Sequence, residues 1–279
     1  MEAVRIHDAR EFRKQADPLL LADEAANNLI LGVTQTVIDH PDRSGPFAGW
    51  VVMDDGRPSA AAAQTVPYNL ILGIPRSEQA VEILADAVGD IPGVLGCRPG
   101  VDVFVAARPE TFHLDMSQGV FQLDAVTFSP PVEGVSRPAR IDEADELADM
   151  WITFEEEAFG QVEDAEGTRE NVRRRIETQS PRHGAWVHEV DGQVVSLSGH
   201  KGPTPNGIRI GPVYTPPALR RKGYASQLVA RQSQWLLDNG HRYCFLYTDL
   251  ANPTSNSIYK RIGYRQIAES ATYEVSPKT

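Results

Sequence analysis

Apolar positions along this chain keep two rhythms. After Gly223, residues Ala225, Leu228, Val229, Gln232, Trp235 and Leu236 recur at helical spacing, and Gly240 following Asn239 offers a left-handed stop, so a long amphipathic helix is expected there. The unbroken run 243–248 reads as a buried strand. Upstream, strands are expected near 185–190, 193–200 and 207–214, preceded by helices over roughly 142–159 and 167–178. The chain should close with a short helix over 253–262 and strands near 265–268 and 272–275. In the first half, strand patterns fall at 68–72 and 101–107.

The two halves repeat one another. Arg5-Ile6-His7-Asp8-Ala9-Arg10-Glu11 returns as Arg140-Ile141-Asp142-Glu143-Ala144-Asp145-Glu146, with Arg, Ile, Ala and Glu at a constant offset. Trp50 stands before Asp55-Gly56 as Trp186 stands before Asp191-Gly192, again at nearly the same offset. Asp-Gly between strand-like segments favours a turn with positive φ at both central residues, so each half should carry a β-hairpin. The expected fold is therefore α/β, with two tandem copies of a mixed, mostly antiparallel sheet flanked by helices. The segment Phe128-Ser129-Pro130-Pro131-Val132-Glu133-Gly134 has linker composition and divides the chain into 1–130 and 137–279.

The most informative stretch joins the strand at 207–214 to the long helix. Pro216 and Pro217 forbid the strand to continue, and Arg220, Arg221 and Lys222 bring positive charge to a turn that ends on Gly223. A helix start offers unsatisfied N–H donors and the positive end of the macrodipole, so main chain alone can hold a diphosphate there. Gly223 allows close approach and Ala225 presents little side chain to block it. Neither GxxxxGK[ST] nor GxGxxG occurs. In the first copy, Gly73-Ile74-Pro75-Arg76-Ser77-Glu78 occupies the equivalent place. There Ser77 should cap the helix and Glu78 should repel an anion.

This turn resembles the acetyl-CoA motif of the GNAT superfamily, whose [Arg/Gln]-x-x-Gly-x-[Gly/Ala] pattern is met by Arg220, Gly223 and Ala225. A second segment, Asn252-Pro253-Thr254-Ser255-Asn256-Ser257-Ile258-Tyr259-Lys260-Arg261-Ile262-Gly263-Tyr264, resembles the family's later strand-helix element. Its own physics is coherent, with Asn252 as N-cap, Pro253 at the first helical position, Gly263 as the stop, and Ser255, Asn256 and Tyr259 on one face.

The resemblance implies an acyltransferase that moves an acetyl group from acetyl-CoA to a primary amine by direct attack. It implies that Val213, Tyr214 and Thr215 hold the pantetheine arm through main-chain groups. Arg220, Arg221, Lys222, Gly223, Tyr224, Ala225 and Ser226 would then surround the diphosphate, with Asn252, Ser255 and Asn256 completing the cofactor contacts. Tyr259 would act as general acid toward the departing thiolate. For the base, Glu155 in the run Glu155-Glu156-Glu157 is the candidate, at the border of a helix face whose core side carries Trp151, Phe154 and Ala158; a solvated acidic face is the competing reading. His188, Glu189 and His200 are weaker candidates. The first copy, lacking both motifs, is expected to be a degenerate GNAT-like domain. A CoA-binding regulatory or interaction protein without turnover is the alternative function.

Composition narrows the partners. A net charge of −11 lacks the basic face that phosphate backbones require, which argues against nucleic acid, and mildly favours a cationic acceptor by steering. The acceptor itself, a small-molecule or peptide amine, is left open. Cys97 and Cys244 make no metal or disulfide pattern, and Cys244 sits in an apolar run. No metal is expected. No apolar stretch suggests a membrane span or a signal peptide, so a cytoplasmic monomer or homodimer with no membrane partner is the expectation.

Overall fold

The computed structural model describes residues 1–43, 45–128, 131–160, 162 and 164–276, with only the backbone of residue 159. Ser129 and Pro130 of the expected linker lie outside the described residues.

In chain order the first half forms β1 (Glu2–Ile6), α1 (Ala9–Leu20), α2 (Asn28–Asp39), β2 (Phe47–Asp54), β3 (Arg57–Thr65), β4 (Leu70–Leu72), α3 (Glu78–Ala87), β5 (Gly93–Cys97), α4 (Gly100–Ala106) and β6 (Phe112–Leu123). The second half repeats this order as β7 (Val135–Pro138), α5 (Ala144–Phe159), α6 (Ala165–Glu177), β8 (Gly184–Val190), β9 (Gln193–Lys201), β10 (Gly207–Tyr214), α7 (Tyr224–Asp238), β11 (Tyr243–Asp249), α8 (Pro253–Ile262) and β12 (Arg265–Val275). The same succession of elements twice over is the duplication seen in the short repeats. Both hairpins turn as their Asp-Gly pairs require: φ is +45° and +75° at Asp55 and Gly56, and +50° and +77° at Asp191 and Gly192.

Two compact units result. One comprises 1–121, 247–253 and 266–279, the other 122–246 and 254–265. In the first, the strand order is β1-β2-β3-β4-β5-β12-β6. Here β1–β2, β2–β3, β3–β4 and β5–β12 pair antiparallel, and β4 runs parallel to β5. Period-two alternation covers both faces. Trp50 and Val52 join Leu70, Leu84 and Phe104 beneath α3 and α4, while Val51 joins Phe12, Leu20 and Leu31 beneath α1 and α2.

The sequence division kept 137–279 together, but the last strand is grouped with the first unit, where Ser270 and Ala271 pair with Cys97 and Gly96. It is also one strand rather than two. Ser270 and Ala271 interrupt the apolar pattern, yet both are buried, and small side chains suit their close packing. A second correction concerns 101–107, which is helix α4 rather than a strand; the strand is β5, just before it. The β-branched Val-Asp-Val-Phe-Val alternates like a strand, but Val101 and Phe104, three apart, share the buried helical face.

The second unit orders its strands β7-β8-β9-β10-β11, with β10 and β11 parallel and the rest antiparallel. Leu147, Trp151, Val172, Val187, Leu197 and Tyr214 form the core under α5 and α6. Trp186 faces the other way and meets Trp235 of α7 with ring centroids 5.3 Å apart.

Candidate active site

The site grows from a defect in β10. Its pairing with β9 slips between Ile210 and Val213: Ile210 faces His200, whereas Val213 faces Ser198, so one residue is extra at Gly211-Pro212. Such a bulge bends a strand and raises its twist. On its other edge β10 pairs with β11 only at Gly207, Ile208 and Arg209. Beyond Arg209 the two parallel strands part, leaving the Val213 to Thr215 end of β10 unpaired on that side. At this end the Ser196 hydroxyl donates to the Tyr214 carbonyl and meets Thr215 Oγ1, each at 2.9 Å.

The basic turn follows. Arg221 has φ +67° and Gly223 φ +88°, two left-handed residues that fold the chain back into the first turn of α7. No side chain caps that turn, and the hydroxyl of Ser226, in its first turn, is buried without a hydrogen-bond partner. The equivalent turn of the first unit is closed: Ser77 Oγ accepts from the Ala80 amide at 3.3 Å, and Glu78 follows. Tyr224 stacks on His188 at 5.3 Å, and Lys222 lies 5.9 Å from the Tyr224 ring.

Arg220 reaches away from this turn. Its Nε donates to the Thr215 carbonyl at 2.8 Å and its Nη2 to Glu157 at 2.5 Å, with the guanidinium over the Tyr214 ring. The Arg220 hydrogen bond, seconded by Tyr214, holds Glu157 below the usual carboxylate range. The sequence pattern of Glu155-Glu156-Glu157 does not single out Glu157. The run alone cannot say which carboxylate faces the strand, and only its distance from Tyr214 along the fold does. Glu155, half-buried, instead accepts from Thr168 Oγ1 at 3.2 Å.

Tyr259 lies on α8, 9% exposed, in edge-to-face contact with Tyr264. Tyr264 is in turn bonded to Ser233 of α7 at 2.9 Å, which ties the two helices together. Burial pushes the Tyr259 hydroxyl up to about 12, so it is neutral near pH 7 and able to donate. Ser255 and Asn256 are half-buried one turn before it, whereas Asn252 is exposed and belongs to the first unit.

The weaker base candidates have other occupations. His188 bonds Ser136 Oγ and the Glu133 carbonyl, both at 2.9 Å. His200 bonds the Ser180 carbonyl and Gln232, and burial drives it down to about 4. Glu189 is held by Arg137 and Arg140. Burial raises both cysteine thiols, Cys97 to about 12, which keeps them protonated. Among the described residues no His, Cys, Asp or Glu side chains gather as a metal ion would need, and no helix is long and apolar enough to cross a membrane.

Residues 145–264, from α5 through the end of α8, match the family model described as Acetyltransferase (GNAT) family. This stretch is a GNAT domain. Solved structures extend the likeness of fold to the whole chain. A Drosophila protein shares 14% identity with a TM-score of 0.69, with 99% of each chain covered. A tandem GNAT protein from the clavulanic acid biosynthesis pathway has 14% identity and a TM-score of 0.60, covering 100% of this chain and 99% of its own. A GCN5-related N-acetyltransferase from Kribbella flavida gives 16% and 0.57, over 90% and 96%. No protein of curated function matches the sequence. The GNAT domain thus carries the splayed β10, the uncapped turn and Tyr259, all in the second half of a tandem fold.

Proposed function

We propose that the chain is an N-acetyltransferase that moves an acetyl group from acetyl-CoA to a primary amine by direct attack. The observation that carries this reading is the uncapped start of α7, behind two left-handed residues and with a buried, unpartnered Ser226 hydroxyl. An anion with several acceptor oxygens fits that set of donors, and the first unit's self-capped turn does not offer it.

In this reading Arg221, Lys222, Gly223, Tyr224, Ala225 and Ser226 hold the diphosphate, with Ser255 and Asn256 of α8 as further contacts. Val213, Tyr214 and Thr215 hold the pantetheine arm along the unpaired edge of β10. When bound, acetyl-CoA supplies an acetyl group activated as a thioester. The N–H groups of the open strand end stabilise developing oxygen charge, which preorganised donors do at little reorganisation cost. Tyr259 Oη gives its proton to the sulfur as the C–S bond breaks, and the amine loses a proton to Glu155 directly or through water. Arg220 acts by position, clamping Thr215 and Glu157.

Two measurements test the reading. Acetyl-CoA should shift the amide resonances of 221–226, and thiol release should rise on adding primary amines. Unmoved resonances at saturating acetyl-CoA reject the site. Moved resonances without amine-dependent release reject the transferase and leave a CoA-binding protein.

A further inference from the structure

His188 sits between the basic turn and the segment that leads into β7. It lies on β8, fully buried, with both ring nitrogens engaged. The Glu133 carbonyl can only accept, so in the neutral ring Nε2 carries the proton and Nδ1 accepts from the Ser136 hydroxyl, each at 2.9 Å. A ring held at both edges is fixed in its plane. Its face meets the Tyr224 ring, with centroids 5.3 Å apart and planes inclined by 30°. The segment that supplies Glu133 reaches the turn a second time, for a Cβ on Gly223 would stand 3.0 Å from Val132 Cγ2. That segment is itself pressed to β8, where a Cβ on Gly134 would collide with the Glu189 carbonyl.

The duplication shows that the sheet does not demand this polar pair. Val52 follows Trp50 by two residues as His188 follows Trp186, so the two occupy equivalent places. In register, Val52 faces Ala3 of β1 as His188 faces Ser136 of β7. The first unit thus fills both places with apolar side chains, Val52 fully buried and Ala3 packed against the same core. The turns differ in step with the pairs. In the first unit Ser77 caps the helix start; in the second no side chain does, and Arg221 and Gly223 are left-handed. A turn with that backbone and no cap of its own is held only if its surroundings hold it.

Resting on the transferase reading above, we infer that His188, oriented by Ser136 and Glu133, is a positioning residue for the diphosphate turn. It fixes Tyr224, the first residue of α7, and so aims the amides of 223–226 at the ligand. Buried beneath the Tyr224 ring, it acts through that ring and not on the reacting atoms. Its effect falls on how tightly acetyl-CoA is held, because a turn already in place needs no reordering on binding.

The decisive variant is Ser136→Ala/His188→Val, which installs the pair that the first unit already packs. It should fold and melt close to the parent. Acetyl-CoA affinity by calorimetric titration should fall about tenfold, KM for acetyl-CoA should rise to match, and kcat should change by less than about threefold. In the ligand-free protein, amide hydrogen exchange at 223–226 should quicken while the later turns of α7 keep their protection. Tyr224→Leu removes the stack from its half-buried side and should weaken binding likewise; combined with the double variant it should cost little more. Parent-like affinity and exchange in the double variant, losses that add to those of Tyr224→Leu, or a loss confined to kcat would overturn the inference and leave the acetyltransferase standing. Failure of the double variant to fold would make the pair structural and overturn it too. If acetyl-CoA leaves the parent's 221–226 resonances unmoved, the transferase reading falls and the inference with it.

Discussion

The Tyr214 hydroxyl donates to the Glu157 carboxylate at 3.0 Å, and the same carboxylate takes Arg220. The end of α5, the open end of β10 and the first residue of the basic turn are thereby fixed to one another. Being partly exposed, the Arg220–Glu157 pair should contribute only about 0 to 1 kcal/mol to stability. Its value lies in position. Arg220→Gln and Glu157→Gln should each weaken acetyl-CoA binding by roughly tenfold, and the double variant should bind no worse than either, since they remove one interaction. Calorimetric titration of the three proteins measures the coupling. Additive losses would mean that Arg220 touches the ligand independently of Glu157.

Tyr259 offers a sharper test of chemistry. With its hydroxyl held neutral by burial, it is set to donate and not to accept. Tyr259→Phe keeps the ring contact with Tyr264 and deletes only the proton. The expected result is a kcat lower by about ten- to a thousandfold with acetyl-CoA affinity nearly intact, read from steady-state kinetics beside direct titration. An unchanged turnover number would take Tyr259 out of the mechanism.

Much of this was legible in the sequence because it rests on local rules. The Asp-Gly pairs dictate positive φ and so the hairpins, Pro216-Pro217 ends β10, and Gly223 with the spacing from Ala225 to Leu236 gives α7 its start and face. What local rules missed depends on partners far along the chain. Ser270 and Ala271 look like a break until Gly96 and Cys97 lie beside them. Glu157 looks like its two neighbours until Tyr214 and Arg220 approach it.

Gly223 tests the uncapped turn through its backbone. At φ +88° an alanine pays about 1 kcal/mol, and its Cβ would stand 3.0 Å from Val132 Cγ2. Gly223→Ala should therefore lower the melting temperature modestly while reducing acetyl-CoA affinity by a larger factor, since the turn must shift to relieve both strains. Thermal melts with and without acetyl-CoA separate the two effects. A variant that melts lower but gains the same ligand-induced stabilisation as the parent would show that the turn does not contact the ligand.

His200 predicts how stability follows pH. It is fully buried, bonds Ser180 and Gln232 through its two ring nitrogens, and is driven down to about 4 by desolvation, whereas the unfolded chain should titrate near the ordinary value of about 6.5. Between those values the unfolded state binds a proton that the folded state refuses. The sign follows: stability from this group is complete above about pH 6.5 and is lost as pH falls toward 4, by on the order of 3 kcal/mol. Urea midpoints measured at pH 7 and pH 4.5 in the parent and in His200→Gln isolate the effect. The variant should be less stable at pH 7 and show a smaller drop on acidification, whereas an equal drop in both would assign the acid sensitivity to other groups.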